Sequence, residues 1–101
     1  MCDLIYAKTA AKDLTEIFDF IATDSRDIAV RYLGEIEQSI LRLKDFPQLG
    51  QQAKYRELAV QGIRVLVHDD YLVFYIIDEE NKKIEIVRVL RGSRNYVHLI
   101  A

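Results

Sequence analysis

Arginine and tyrosine side chains are the groups in this sequence with the most scope for chemistry, and they concentrate in its second half. The set comprises Arg64, Arg88, Arg91, Arg94 and Tyr96. Arginine presents a rigid fork of donors that matches phosphate or carboxylate, and it stays protonated at neutral pH. In an RNA-cleaving site, the arginines would hold the scissile phosphate while a tyrosine, histidine or glutamate handled the protons. In a binding site, the same arginines would pair with carboxylates of a partner protein.

These residues also have a purely structural interpretation. Arg88 lies between two valines in a strand-like pattern, where it could form an ion pair with an acid of a helix, and Arg64 has the same alternative. Arg91, Arg94 and Tyr96 lie in an arginine-rich stretch that no regular strand or helix requires, which favours a functional role.

Conventional catalytic signatures are missing from the sequence. It has no glycine-rich phosphate loop, no Gly-x-Ser-x-Gly, no His-Glu-x-x-His and no paired cysteines. His68 and His98 are too isolated to suggest a metal site, so we expect neither metal nor cofactor. Tyr71 and Tyr75 share strand parity and are expected to be half-buried sheet residues rather than a platform for stacked bases.

Length and charge narrow the class of protein. The 101 residues suit a single domain spanning 1–101 with one core. A net charge of −2 argues against broad, non-specific binding of nucleic acid, although the tail after Val87 carries three arginines and no acid. No apolar run approaches the ~20 residues that span a bilayer, and the N-terminus lacks a signal-peptide pattern. We therefore expect a cytoplasmic protein that does not contact membranes.

The first half of the chain has helical periodicity. A short apolar opening at 3–7 could be an edge strand, and Thr9 is a candidate N-cap for a first helix over about 10–22. Ser25 is a candidate cap for a second helix, which the proline and glycine of 46–50 end. The short connection between the helices predicts an antiparallel hairpin.

The second half changes to strand-like periodicity. Strands are predicted over 62–68, 71–77 and 84–90, and residues 51–58 could add a short one. In the last strand the apolar parity switches at Val87, which predicts either two covered faces or a bulge. The fold class is thus α+β, an N-terminal strand and a two-helix antiparallel hairpin packed on a three- to four-stranded, mainly antiparallel sheet. The other face of the sheet would be open, and function could lie there.

Four segments, in this order and spacing, resemble the toxins of the ParE/RelE superfamily from bacterial type II toxin-antitoxin systems, with the ParE branch closest. They are Thr-Ala-Ala-Lys-Asp-Leu at 9–14 with Ile-Phe-Asp-Phe-Ile at 17–21, Leu-Lys-Asp-Phe-Pro-Gln-Leu-Gly at 43–50, Tyr-Leu-Val-Phe-Tyr at 71–75, and Ile-Val-Arg-Val-Leu-Arg-Gly-Ser-Arg-Asn-Tyr at 86–96. The resemblance covers nearly the whole chain.

The resemblance implies a cognate antitoxin whose C-terminal segment lies across the toxin. It leaves two targets open, because ParE-like members poison DNA gyrase, whereas RelE-like members cleave mRNA in the ribosomal A site. For the second activity, Arg64 matches the arginine that begins the strand after the loop, and Arg91 stands where many members have a histidine before the glycine. Arg94 matches the arginine two positions beyond that glycine, and Tyr96 the C-terminal tyrosine of the cleaving type.

Two departures from the cleaving pattern favour the ParE-like interpretation. Between residues 51 and 58 only Lys54 and Arg56 are basic, where cleaving members tend to be strongly basic, and the net charge is acidic. We therefore expect a growth inhibitor that acts on gyrase, with ribosome-dependent endoribonuclease activity as the alternative.

Overall fold

The chain runs from one strand through two long helices into a series of strands, with two further short helices. A computed structural model describes residues 2–92 and 96–100. In chain order the elements are β1 (Asp3–Tyr6), α1 (Lys8–Ala22), α2 (Arg26–Leu41), a 3₁₀ turn (Arg42–Lys44), β2 (Gln51–Gln52), α3 (Arg56–Ala59), β3 (Ile63–His68), β4 (Tyr71–Asp78), β5 (Lys83–Arg91) and α4 (Val97–Ile100).

The two long helices begin in different ways. Ser25 caps α2 as predicted, because its hydroxyl oxygen accepts a hydrogen bond from the Ile28 N–H at 3.2 Å. The prediction that Thr9 caps the first helix is wrong, since α1 starts at Lys8, two residues before the predicted start, and the residue at its cap position is Ala7. The Thr9 hydroxyl instead donates to the Val87 carbonyl oxygen at 2.9 Å. A residue that looked like a local cap is therefore used for a long-range contact with the sheet.

The sheet has the strand order β1-β5-β4-β3-β2, with β1 parallel to β5 and the other pairs antiparallel. The predicted α+β plan is confirmed, although five strands are present in the described residues rather than three or four. Part of the prediction for 51–58 is wrong, because Arg56–Ala59 is helical and only Gln51–Gln52 pairs with β3.

A bulge lies in β5, which is one of the two alternatives that the switch in apolar parity predicted. Phe74 of β4 faces Arg88, whereas the next residue, Tyr75, faces Ile86, so Val87 is the unpaired extra residue. The bulge moves Ile86 and Val89 to the same face of the sheet, where both are buried.

Both faces of the sheet carry a core, which corrects the prediction of one open face. On the helical face, residues such as Ile36, Ile40 and Tyr75 form the larger cluster. On the second face, Leu58 of α3 packs with Phe74 among the smaller cluster, and the C-terminal residues add partly buried contacts. The second face is therefore covered in part, and only its remainder is available for binding.

In the part of the chain that the structure describes, no helix has the length and apolar character needed to cross a bilayer.

Candidate functional site

Arg88 joins three elements through hydrogen bonds. Its Nε donates to Asp13 Oδ2 at 2.8 Å and its Nη2 to Asp13 Oδ1 at 3.0 Å, so the pair is bidentate. Its Nη1 donates to the Leu99 carbonyl oxygen at 3.3 Å. The hydrogen bonds to Asp13 raise the pKa of Arg88 above its ordinary value. These contacts link β5 to α1 and α4, and they match the structural interpretation of Arg88 as the partner of a helix acid. A role of Arg88 in partner binding stays a prediction.

Asp13 is placed to close the outer edge of β5. β1 pairs with residues 83–86 of β5. Beyond that point, side chains of α1 form the hydrogen bonds to the main chain of β5. Asp13 Oδ2 also accepts the Val89 N–H at 2.9 Å, and it is the buried charged residue of the described core, 5% exposed. A buried carboxylate is tolerated here because three donors satisfy it.

Arg64 holds a turn of the main chain. Arg64 of β3 is the cross-strand partner of Tyr75 of β4, so both side chains lie on the helical face. The Arg64 Nη2 donates to the carbonyl oxygens of Gln48, at 3.3 Å, and of Gly50. The Tyr75 hydroxyl donates to the Pro47 carbonyl oxygen at 2.7 Å and accepts the Gly50 N–H at 3.0 Å. Arg64 and Tyr75 thus fix the 47–50 turn together.

Arg91 and Arg64 occupy different positions along the sheet. Arg91 pairs with Tyr71, four residues along β4 from Tyr75, which separates the two arginines by about 13 Å of strand. The Arg91 side chain is exposed and borders a small cavity of about 130 Å³ beside Phe20 of α1. The structure therefore does not bring Arg64 and Arg91 together, and the third predicted arginine, Arg94, lies outside the described residues.

Tyr96 lies on the second face of the sheet. Its ring centroid is 4.9 Å from that of Phe74 and 5.6 Å from that of Tyr55. Since Phe74 and Tyr75 are consecutive in β4, Tyr96 is on the opposite face from the tyrosine that Arg64 faces. The predicted set of arginines and Tyr96 is therefore spread over both faces.

A cleft of about 550 Å³ opens on the second face, beside the outer edge of the sheet. Its lining includes the cations Arg42 and Lys54, the aliphatic residues Val65, Val67 and Leu72, and Tyr96. Within residues 2–92 and 96–100, no acidic residue lines it. We call it the cationic cleft. Sequence reasoning noted Lys54 only as a sign of weak basicity and did not consider Arg42, because Arg42 follows a helix and is twelve residues from Lys54.

Within residues 2–92 and 96–100, no cluster of three or more metal-ligating side chains occurs. His68 is partly buried, and its Nδ1 is 2.8 Å from the Ser39 hydroxyl oxygen, so it links β3 to α2. Tyr71 and Tyr75 are sheet residues, as predicted, but they are buried in the core rather than half-buried.

The same arrangement, a helical hairpin on a sheet in which β1 runs parallel to β5, occurs in solved structures of other proteins. The chain is similar to a protein in the solved chromosomal ParDE system of P. aeruginosa, with a TM-score of 0.73 and 21% identity over 90% of this chain and 96% of that one. It is also similar to one in the toxin-antitoxin complex RelBE2 of Mycobacterium tuberculosis, with a TM-score of 0.69 and 24% identity over 89% and 96%. A conserved hypothetical protein of Helicobacter pylori gives a TM-score of 0.57 and 23% identity over 93% and 98%.

The sequence matches the family described as the ParE toxin of the type II toxin-antitoxin system parDE over residues 4–96. The chain therefore belongs to the ParE toxin family, and the predicted membership of the ParE/RelE superfamily is confirmed. No curated protein matches the sequence significantly.

Proposed function

We propose that this toxin is a ParE-like growth inhibitor that binds a protein target, DNA gyrase, and performs no chemistry of its own. The observation that carries the proposal is that two of the arginines predicted as site residues form hydrogen bonds within the fold. The guanidinium groups of Arg64 and Arg88 donate to main-chain carbonyls and to Asp13, which are contacts within the fold.

The separation of these groups supports the same conclusion. An acid or base must come within about 3 Å of the proton that it transfers, and the cations that hold a phosphate must converge on the same atoms. Tyr96 lies on the second face, whereas Arg64 and Arg91 pair with tyrosines of the helical face. Partner binding needs no such convergence. We therefore propose Arg91, Arg94 and Tyr96 as residues that contact the partner, and Arg64 and Arg88 as residues that position the partner-binding surface through their contacts within the fold.

A cognate antitoxin is the proposed second partner. Two of the similar structures are a ParDE toxin-antitoxin system and a RelBE2 toxin-antitoxin complex. We propose that the antitoxin's C-terminal segment lies across the sheet and neutralises the toxin in the cytoplasm. An extended segment suits a sheet with an accessible edge, because main-chain hydrogen bonds hold it and side-chain pockets select it.

RelE-like cleavage of mRNA on the ribosome is the second candidate. It is favoured by the cationic cleft, where Lys54, Arg42 and the Tyr96 phenol line the same cavity. A metal-independent nuclease of this kind would use Tyr96 for proton transfer, with Arg64, Arg91 and Arg94 as the further candidates from the sequence.

The two functions separate in one experiment. The toxin is induced alone in bacterial cells, mRNA 5′ ends are mapped, and the purified protein is tested for inhibition of gyrase supercoiling. Tyr96→Phe is compared with Tyr55→Phe, which removes the phenolic hydroxyl from its neighbour on the same face.

We expect the toxin to inhibit supercoiling by gyrase and to leave mRNA intact. Tyr96→Phe and Tyr55→Phe should inhibit supercoiling to the same extent. Ribosome-dependent cleavage that Tyr96→Phe abolishes and Tyr55→Phe leaves intact would overturn the gyrase proposal in favour of the nuclease.

A further inference from the structure

The cationic cleft differs in charge from the rest of the molecule. The chain has a net charge of −2, yet among the residues that the structure describes this cavity is lined by Arg42 and Lys54 and by no acid. Both cationic side chains are exposed, and within the described residues neither forms an ion pair. The Lys54 ammonium lies 5.2 Å from the centroid of the Tyr55 ring, at the rim of the second face. Two cations without acidic partners attract an anionic ligand.

The shape of the cleft suits an extended chain. β2 pairs only with Arg64 and Val65, whereas β3 continues to His68. The outer edge of β3 beyond Val65 therefore has no strand beside it among the described residues. Val67 lies on this edge and is 64% exposed. An unpaired edge of this kind accepts main-chain hydrogen bonds from an added segment.

The turn at Gly50 packs closely against the edge of β3 and forms part of the cleft wall. The chain reaches β2 from the helical face, where the Gly50 N–H donates to the Tyr75 hydroxyl. A Cβ atom at this position would lie 2.5 Å from the Val65 carbonyl oxygen, so only glycine allows the turn to pass so close to β3. Because Arg64 and Tyr75 fix the turn, the cleft is formed before any ligand binds, which lowers the entropic cost of binding.

The apolar surface favours a peptide over RNA. Val65, Val67 and Leu72 offer aliphatic surface that suits aliphatic side chains. Base stacking needs a free aromatic face. Tyr96 is the aromatic residue of the lining, and its ring packs against those of Phe74 and Tyr55. The acidic net charge also disfavours a polyanion that extends beyond the cleft.

We propose that Arg42 and Lys54 are specificity-determining residues that select, in the antitoxin, an extended segment in which carboxylates flank aliphatic residues. The aliphatic side chains pack on Val65, Val67 and Leu72, while the carboxylates pair with the two cations. This inference rests on the proposed antitoxin partner, and it assigns the choice of partner to two residues that the sequence-based prediction did not include.

The test measures the dissociation constant of the toxin for the antitoxin encoded beside it. Arg42→Glu and Lys54→Glu are compared with Lys12→Glu, which makes the same change of charge at an exposed position of α1 outside the cleft. We expect each cleft variant to weaken binding about tenfold and the control about twofold or less. Wild-type binding should also weaken more steeply with salt than binding by the cleft variants.

A reversed pair makes the test specific. Replacing acidic residues of the antitoxin segment by lysine should restore binding to Lys54→Glu or Arg42→Glu and not to Lys12→Glu. Circular dichroism checks that each variant is folded.

Equal dissociation constants for all variants, with tight wild-type binding, would overturn this inference and leave the proposed function intact. Failure of the wild-type toxin to bind the antitoxin would overturn both. A short single-stranded RNA that binds the wild type and not the cleft variants, with antitoxin affinity unchanged, would assign the cleft to nucleic acid instead.

Discussion

Replacing Asp13 by alanine should destabilise the toxin more than a typical core substitution of the same size. The carboxylate accepts two hydrogen bonds from Arg88 and one from the Val89 N–H. Asp13 is almost fully buried, and the Arg88 side chain is 18% exposed. Asp13→Ala would therefore leave a largely buried guanidinium and a buried N–H without their partner.

The magnitude follows from those two losses. Breaking one side of a buried ion pair costs about 3–5 kcal/mol, and the residual exposure of Arg88 places this pair near the lower value. An unsatisfied N–H of Val89 adds roughly 1 kcal/mol or more. We expect a total of about 4 kcal/mol, a large fraction of the 5–15 kcal/mol that is usual for a domain. Arg88→Ala should cost about 3 kcal/mol, because Asp13 keeps the Val89 hydrogen bond.

Urea unfolding followed by circular dichroism measures these changes. The double variant should cost less than the sum of the single variants by about 1–3 kcal/mol, since the two residues share one interaction. Asp19→Ala, which removes an exposed acid from the same helix, is the control and should stay within about 0.5 kcal/mol of the wild type. Additive effects, or a cost for Asp13→Ala equal to that of the control, would refute the proposed role of the pair.

Three further predictions concern the 47–50 turn and a tyrosine of α2. Gly50→Ala should cost about 1–3 kcal/mol because its Cβ would overlap a main-chain oxygen, whereas Gly34→Ala should stabilise α2 by about 0.5–1 kcal/mol because nothing lies within 4 Å; equal effects in urea unfolding would contradict this. Tyr75→Phe should cost about 1–3 kcal/mol by leaving two main-chain groups of the turn unsatisfied, and a neutral result would mean that water replaces the hydroxyl. Burial and the nearby charge of Asp69 raise the pKa of Tyr32 from 10.0 to about 12. Because the folded state retains this proton longer, the contribution of Tyr32 to the free energy of unfolding should be fully present below pH 10 and be lost as the pH rises towards 12. The free energy of unfolding of Tyr32→Phe should therefore fall less steeply over this range. An unchanged slope in that variant would count against the shift.

The sequence determined the secondary structure and the family. Apolar spacing and a local cap placed both long helices and the three main strands within a few residues, because these signals act over one or two turns of chain. The parity switch at Val87 predicted either a bulge or two covered faces, since a strand must keep its apolar residues facing a core, and the structure has both. The four segments that resemble ParE/RelE toxins led to the family that the match over residues 4–96 confirms.

Tertiary structure alone decided what the candidate residues do. Asp13 and Arg88 are 75 positions apart, and Thr9 and Val87 are 78 apart, so no local pattern could pair them. The sequence placed Arg64, Arg91 and Tyr96 in one set because local patterns show neither where residues of different strands lie along the sheet nor on which face a residue outside the strands packs. The cationic cleft was missed for a related reason: Arg42 and Lys54 come from different elements, and only the packing of the turn against β3 brings both to one cavity.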